Sequence, residues 1–197
     1  DELKKKAIVY INSDGNGRGI LNVGGSEDLS KFVSDTLAGL KDPETGQSVD
    51  ARRRAKLRMA GPMADEHDRA MGRQAADASK NMPLEPLGSG SDYSAYLQHL
   101  GLATLDYGYG GEGRSSGVYH SRYDTYEHHS NFVDPGFVYD ALLAKTVGRA
   151  VIKAADTDLP IQQASDFAAA IGQYVGEVKR LADTRRTAAE TQKKNLA

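Results

Sequence analysis

Cysteine and tryptophan are both absent from this 197-residue chain. Without a thiol there is no disulfide, no thiolate metal ligand and no cysteine nucleophile, and the redox state of the compartment leaves no mark on the composition. Aromatic residues amount to only 7% and hydrophobic residues to 39%, which reads as a core diluted by polar helices and long loops. No apolar run approaches the roughly 18 residues that span a bilayer, and no stretch reads as a secretory leader. An excess of either charge is missing too: 25 Lys and Arg stand against 27 Asp and Glu, for a formal net charge of −2. That balance argues against a nucleic-acid or anionic-membrane partner. The length suits one domain with a real core. The opening Asp1-Glu2-Leu3-Lys4-Lys5-Lys6 runs at once into an apolar strand, which reads as a piece of a longer protein.

Glycine is abundant, at 21 residues, and it clusters at the ends of apolar runs. Ala7 to Asn12 reads as a buried strand closed by Asp14-Gly15-Asn16-Gly17. A helix is expected from Ser26 or Glu27 through Phe32, Val33, Leu37 and Leu40. From Asp42 to Pro86 the pattern weakens into a surface excursion, with a possible helix over Val49 to Met59. Ser91 or Asp92 is placed to cap a helix through Tyr93, Tyr96, Leu97 and Leu100. A strand over Leu102 to Tyr107 and a glycine loop over Gly108 to Gly117 follow. The next helix is expected to start at Asp134 with Pro135 in its first position and a Val133–Val138 staple. A last helix from about Ser165 carries Phe167, Ile171, Tyr174, Val175, Val178 and Leu181 on one stripe, and the polar tail beyond Asp183 is expected to fray. Strands alternating with helices predict an α/β domain whose reactive residues sit past the carboxyl ends of strands. Asp14 and Asp106 both fall there.

Asp14 enters a loop with three glycines in five residues. It reads either as an Asx turn closing the strand or as a metal carboxylate on a rigid strand end. Among the histidines, His99 reads as structural and His67 as solvated. His128-His129 could bind metal, although a histidine pair on a surface loop is usually inert. His120 stands out beside Tyr119, Ser121, Arg122 and Asp124. Ser89-Gly90-Ser91-Asp92 lacks the full pattern of a phosphate loop or a nucleophile elbow; it serves either as a helix cap or as a backbone-lined substrate contact. The basic run Arg52 to Arg58 has no interleaved aromatics for base stacking and reads as a solvated helix face.

Three segments then stand out together: Tyr10-Ile11-Asn12-Ser13-Asp14, Gly88-Ser89-Gly90-Ser91-Asp92-Tyr93, and Tyr119-His120-Ser121-Arg122-Tyr123-Asp124-Thr125-Tyr126-Glu127. In this order and at these separations they resemble the glutamate carboxypeptidase II (folate hydrolase) and transferrin-receptor-like branch of the di-zinc aminopeptidase superfamily. The resemblance runs from about Lys5 to Pro160 and more loosely into the last helix. It implies the C-terminal part of a three-layer zinc-exopeptidase-like domain, with a mixed central sheet flanked by helices and a helical extension. Residues 1–160 would belong to the catalytic domain and 161–197 would begin a helical region used for homodimerisation. Asp14 matches a terminal carboxylate ligand of one zinc and His120 an imidazole ligand of the second. Tyr119 matches a tyrosine that polarises the scissile carbonyl. Ser89, Gly90 and Ser91 match a substrate-contacting loop, with Ser91 standing where the carboxypeptidases have asparagine. The implied reaction is peptide hydrolysis by a zinc-bridging hydroxide held between two ions roughly 3.5–4 Å apart.

Two departures qualify what the resemblance implies. The family's other ligands and its general-base glutamate lie upstream of the strand that opens this chain, so the isolated chain is expected to be inactive and to bind zinc poorly. Where the carboxypeptidases place arginines for acidic substrates, this chain has Asn22, Asp106 and Gly108, so a broader aminopeptidase or dipeptidase acting on peptides or dipeptides is expected. The expected partners are the upstream half of the parent catalytic domain and a second copy of the chain, with no nucleic acid. The resemblance alone points to a periplasmic or extracellular location. The competing reading is a non-catalytic, transferrin-receptor-like domain for dimerisation or partner binding.

Overall fold

In the computed structural model, the structure describes residues 2–59, 61, 63–113 and 117–195. A short helix α1 (Glu2–Lys6) precedes strand β1 (Tyr10–Asn12), and β2 (Gly19–Gly25) leads through a 3₁₀ turn into α2 (Ser30–Leu37). Helices α3 (Val49–Arg58) and α4 (Glu66–Ala76) precede a π-helical turn over Ala95–Leu100 and strand β3 (Thr104–Gly111). After β3 come α5 (Tyr126–His128), a second π-helical turn over His129–Val133, α6 (Val138–Ala155) and α7 (Ala164–Asn195). The sheet is small and mixed, in the order β1-β3-β2, with β1 parallel and β2 antiparallel to β3. The α/β architecture with flanking helices and a long terminal helix is therefore as expected.

Side-chain alternation along β3 divides the molecule. Leu105, Tyr107 and Tyr109 join Leu21 and Val23 of β2 on one face, against Phe32, Val33 and Leu37 of α2 and Tyr139, Leu142 and Ala150 of α6. Thr104, Asp106 and Gly108 turn to the other face. Deep in the core, the Tyr109 hydroxyl meets Thr146 Oγ1 at 2.8 Å, which spares both polar atoms an unpaired burial.

The basic run in α3 departs from the expected solvated face. Arg53 is only 1% exposed. Its guanidinium donates to the carbonyl oxygens of Leu21 (3.3 Å), Val23 (3.1 Å) and Pro83 (3.1 Å). The edge of β2 thus finds donors in a side chain, and the 83–85 segment adds a short bridge of its own between Gly24 and Glu85. Burial pulls the Arg53 guanidinium down to about 10, opposed by Glu85 and Asp50, so it stays charged at neutral pH. Arg54 is buried as well, bonded to Asp50 and to the carbonyls of Asp77 and Lys80. Arg52 pairs with Asp42, which also accepts the Tyr139 hydroxyl (2.9 Å) and ties α3 to α6. Burial opposes ionisation of Asp42, but Thr45, Tyr139 and Arg52 together hold its carboxyl below the usual carboxylate range.

Other boundaries differ for identifiable reasons. The first strand is three residues rather than six, and Ile8 is exposed; only Tyr10 to Asn12 find partners on β3. The segment from Asp42 to Pro86 is no loose excursion. It holds α3 and α4, the latter with a reciprocal Asp65–Asp68 capping box, and it buries Met71, Met82 and Leu84. Strand β3 runs on to Gly111 where a loop was expected from Gly108, and residues 114–116 of that loop lie outside the described residues. Helix α6 begins at Val138, not Asp134, because Gly136 (φ 83°) and Phe137 (φ 56°) leave the right-handed region. Asp134 still caps the helix from a distance, its Oδ2 accepting the N–H groups of Tyr139 (2.9 Å) and Asp140 (2.8 Å). Val138 is exposed, so the expected staple does not form. The tail beyond Asp183 continues α7 to Asn195; Arg185, Arg186, Ala188, Ala189, Glu190, Gln192, Lys193 and Lys194 are good helix formers, and no Gly or Pro stops it.

Replacing Arg53 by methionine keeps an apolar chain of similar reach but takes the guanidinium donors from the carbonyls of Leu21 and Pro83, while that of Val23 keeps only the Glu85 N–H (3.1 Å). Arg53→Met is expected to lower the unfolding free energy by about 3 kcal/mol at pH 7, read as a lower urea midpoint at unchanged slope.

Candidate active site

Asn12 closes β1 directly opposite Asp106 of β3. Cross-strand neighbours share a face, so both side chains emerge on the face turned away from the α2 and α6 core. Asn12 is 8% exposed and organises what surrounds it. Its amide nitrogen donates to Asp106 Oδ1 (2.9 Å), Asp14 Oδ1 (3.0 Å) and Ser91 Oγ (3.2 Å), while its oxygen accepts the Tyr10 hydroxyl (3.2 Å). Carboxylates only accept, so the amide must present its nitrogen to the two aspartates; three acceptors for two N–H bonds means that one is shared. Ser91 Oγ donates in turn to Asp14 Oδ1 at 2.9 Å. Tyr10 is itself fixed by stacking on Tyr96, with ring centres 3.8 Å apart and planes within 8°. Among the described residues Asp14 Oδ2 has no hydrogen-bond partner, and the Asp14 side chain is exposed.

The two carboxylates are held close in spite of their charge. Burial pushes the Asp106 carboxyl above the usual range; the Asn12 amide and the Asp14 backbone N–H oppose this, and the Asp14 charge adds to it. Asp14, Asn22, Glu85, Asp106 and Gly108 help to line one cavity of about 260 Å³. The loop carrying Asp14 can lie on β3 because Gly108 has no side chain: a Cβ there would meet the Gly15 carbonyl oxygen at 2.6 Å. Asn16 anchors the same loop, accepting the Tyr109 N–H (2.9 Å) and donating to Asp140 Oδ1 (2.7 Å).

Of the residues singled out from the sequence, Asp14, Ser91 and Asp106 are thus brought together. Ser89 and Gly90 lie on the exposed turn before Ser91, where Gly90 has φ 94°. The helix expected after Ser91 or Asp92 does start at Tyr93 and runs on as the π-helical turn over Ala95–Leu100, but among the described residues the Ser91 hydroxyl is turned to Asp14 and accepts no helix N–H. Tyr119 and His120 stack on each other at 3.8 Å on a separate exposed turn, with Tyr119 80% exposed. Neither side chain makes a hydrogen bond among the described residues, and His120 holds a left-handed φ of 57°. His67 is not solvated as expected: it stacks on Tyr174 and faces Glu177 at 3.5 Å, beneath α7. His129, one of the pair read as an ambiguous metal binder, approaches Asp134 and Asp140, with one ligand atom from each within 4.8 Å of the others. Sequence reading missed Asn12, Asn16 and Asp140. The available signal was an Asn-x-Asp pair at a strand end, which only the register with Asp106 turns into a hub.

No protein-family model matches the chain. It is similar to a probable glutamate carboxypeptidase of Arthroderma benhamiae, 27% identical over 181 residues, covering 90% of this chain and 22% of that protein. Aminopeptidase NAALADL1 of Rattus norvegicus is 28% identical over 183 residues, covering 88% of this chain and 23% of that protein. Probable glutamate carboxypeptidase LAMP1 of Arabidopsis thaliana is 35% identical over 72 residues, 36% of this chain and 10% of that protein. The chain spans less than a quarter of the length of these relatives, and the resemblance to the glutamate carboxypeptidase and aminopeptidase branch stands at this modest identity.

Because the Asp106 carboxyl is raised, its protonated form favours the fold. That contribution is fully present below the ordinary carboxylate range and is lost as pH rises through the raised value. Asp106→Asn keeps an oxygen for Asn12 and removes the charge. The variant is expected to be at least as stable as the parent at pH 7, with the difference shrinking below about pH 4, as measured by urea unfolding at both pH values.

Proposed function

We propose that this chain forms part of a zinc-dependent exopeptidase acting on peptides or dipeptides, with Asp14 and His120 each supplying one terminal metal ligand. The reading is supported above all by the Asn12 amide, which clamps Asp14 beside Asp106 and leaves one oxygen of Asp14 open. It is supported further by the names of the similar proteins. Asp14 fits a metal carboxylate: two donors fix its orientation through Oδ1, as hydrogen-bonded partners of ligands commonly do, and Oδ2 remains available. His120 fits a terminal imidazole, exposed and with no hydrogen bond on its ring among the described residues. When bound, zinc supplies a Lewis acid and lowers the pKa of water at its open position.

This chain's own residues then bind and orient. Asn12 and Ser91 hold Asp14. Asp106 and Glu85 give the cavity a negative lining that disfavours acidic substrate side chains and suits a broad aminopeptidase or dipeptidase. Lys56 donates to Asn22 Oδ1 at 3.0 Å, on a residue that lines the cavity. The Tyr119 phenol offers a hydrogen bond to a developing oxyanion. The remaining metal ligands and the general base come from an upstream half packed beside β1, whose outer edge pairs with no strand among the described residues. Residues 1–160 form the catalytic part and 161–197 the beginning of a dimerisation region, in a protein placed in the periplasm or outside the cell.

A second reading, a non-catalytic domain for dimerisation or partner binding, is favoured by one feature. The stripe of Phe167, Ile171, Val175, Val178 and Leu181 on α7 is exposed along its length, from 48% at Ile171 to 66% at Val178.

Calorimetry with zinc separates the two. In the isolated chain, Asp14→Ala and His120→Ala are expected to leave the zinc isotherm unchanged. In the polypeptide that includes the preceding sequence, either change is expected to weaken the binding of one zinc and to lower peptidase activity, each by ~100-fold. Full activity in both variants would sink the roles given to Asp14 and His120, whereas a polypeptide with neither zinc binding nor peptidase activity before any substitution would leave the non-catalytic reading standing.

A further inference from the structure

A cluster outside the residues just discussed carries its own chemistry. His129 lies in the π-helical turn before α6, Asp134 in the bend that follows, and Asp140 in the first turn of α6. Asp134 is fully buried, at 0% exposure. Its Oδ2 is satisfied by the Tyr139 and Asp140 N–H groups, but its Oδ1 is buried with no hydrogen-bond partner. A buried carboxylate oxygen left unpaired is strongly disfavoured. His129 Nε2 lies 2.8 Å from Asp140 Oδ2, and no Lys or Arg pairs with either aspartate among the described residues. One imidazole thus faces two carboxylates, with one ligand atom from each within 4.8 Å of the others.

We propose that His129, Asp134 and Asp140 form a binding site for a divalent transition-metal ion such as Zn²⁺ or Mn²⁺. Two carboxylates and a neutral imidazole balance the charge of one M²⁺ ion. The imidazole selects against Mg²⁺ and Ca²⁺, which take oxygen ligands. Metal–ligand distances near 2.0–2.2 Å put neighbouring ligands of a tetrahedral ion about 3.4 Å apart; His129 Nε2 and Asp140 Oδ2, now 2.8 Å apart, therefore open slightly, and side-chain shifts of about 1 Å bring the three ligand atoms, all within 4.8 Å, onto one ion. The N-terminal dipole of α6 opposes a cation here, but its first N–H groups are already taken up by Asp134 Oδ2, which leaves Oδ1 to face the ion. Binding displaces the proton between His129 and Asp140 and cross-links the π-helical turn to α6. Asp140 Oδ1 keeps its bond from Asn16, and Asn16 holds the Tyr109 N–H. The ion therefore stiffens the loop that carries Asp14 without touching Asp14 itself.

The test titrates Zn²⁺ and Mn²⁺ separately into the EDTA-stripped 197-residue chain by calorimetry, with thermal melts in parallel. Parent chain, the Asp14→Ala/His120→Ala double variant, His129→Gln and Asp140→Asn are compared; Asp134 is left intact because it caps α6. The expected result is one ion bound per chain in the parent and in the double variant. Affinity should fall at least ten-fold in His129→Gln and Asp140→Asn, and the metal-induced rise in Tm should vanish with it. Because a variant could unfold, a second readout uses the parent chain alone: sub-stoichiometric Mn²⁺ should broaden the NMR signals of His129, Asp134 and Asp140 first. The proposal is overturned by the absence of binding in the parent, by binding lost only in the double variant, or by broadening centred elsewhere.

Discussion

The burial of one guanidinium, that of Arg53, sets the terms for everything around it. A charge at 1% exposure is tolerable only where fixed dipoles surround it, and here they are carbonyls of β2 and of the 83–85 segment. The edge of a sheet usually needs another strand, a bulge or a charge to keep it from pairing wrongly. In this chain a helix covers that edge with a single side chain, beside the short backbone pairing of Glu85 with Val23 and Gly25. Once β2 is held against α3, its antiparallel ladder positions β3, and β3 in turn receives β1.

The same strand then does two jobs. The odd residues of β3, Leu105 to Tyr109, fill the core, while the even ones, Asp106 and Gly108, shape the cavity on the opposite face. Two asparagines complete that division. Asn12 bonds sideways to the carboxylates of Asp14, just past β1, and Asp106, within β3, and Asn16 pins the loop to the backbone of β3 and to α6. Both are neutral amides that donate and accept at once, which is what a site crowded with carboxylates requires.

Much of this was legible in the sequence. Strand–glycine–helix alternation predicted the α/β layout, and Asp14 does follow the end of β1; Asp106, expected past a strand end, lies inside β3 and meets Asp14 through the register with Asn12. Other features were not, for physical reasons. Arg53 lies between two other arginines, and composition cannot say that Arg53 turns to the β2 carbonyls while Arg54 is buried against those of Asp77 and Lys80; that depends on where the carbonyls lie. Pro135 is a good first-turn residue, yet the positive φ of Gly136 and Phe137 delays α6 by a turn, held by packing of Phe137 on Tyr126 and His129. The region from Asp42 to Pro86 lacks clean periodicity because its buried positions face different neighbours in turn, β2, α3 and α7 among them. Asn12 carried no signal as a hub because its role exists only through register.

Helix α7 has a mechanical side. Its 32 residues, at about 1.5 Å each, make a rod of about 48 Å, longer than the roughly 16 Å radius of gyration expected for a compact chain of this size. Its first half rests on the body through the Tyr174 hydroxyl to Glu27 and Arg180 to Glu66, and the rest extends beyond these supports. A tilt of about 5° at the base moves the far end by about 4 Å at that length. The rod is therefore a lever, and small adjustments where it meets Glu27 and α4 are magnified at its tip.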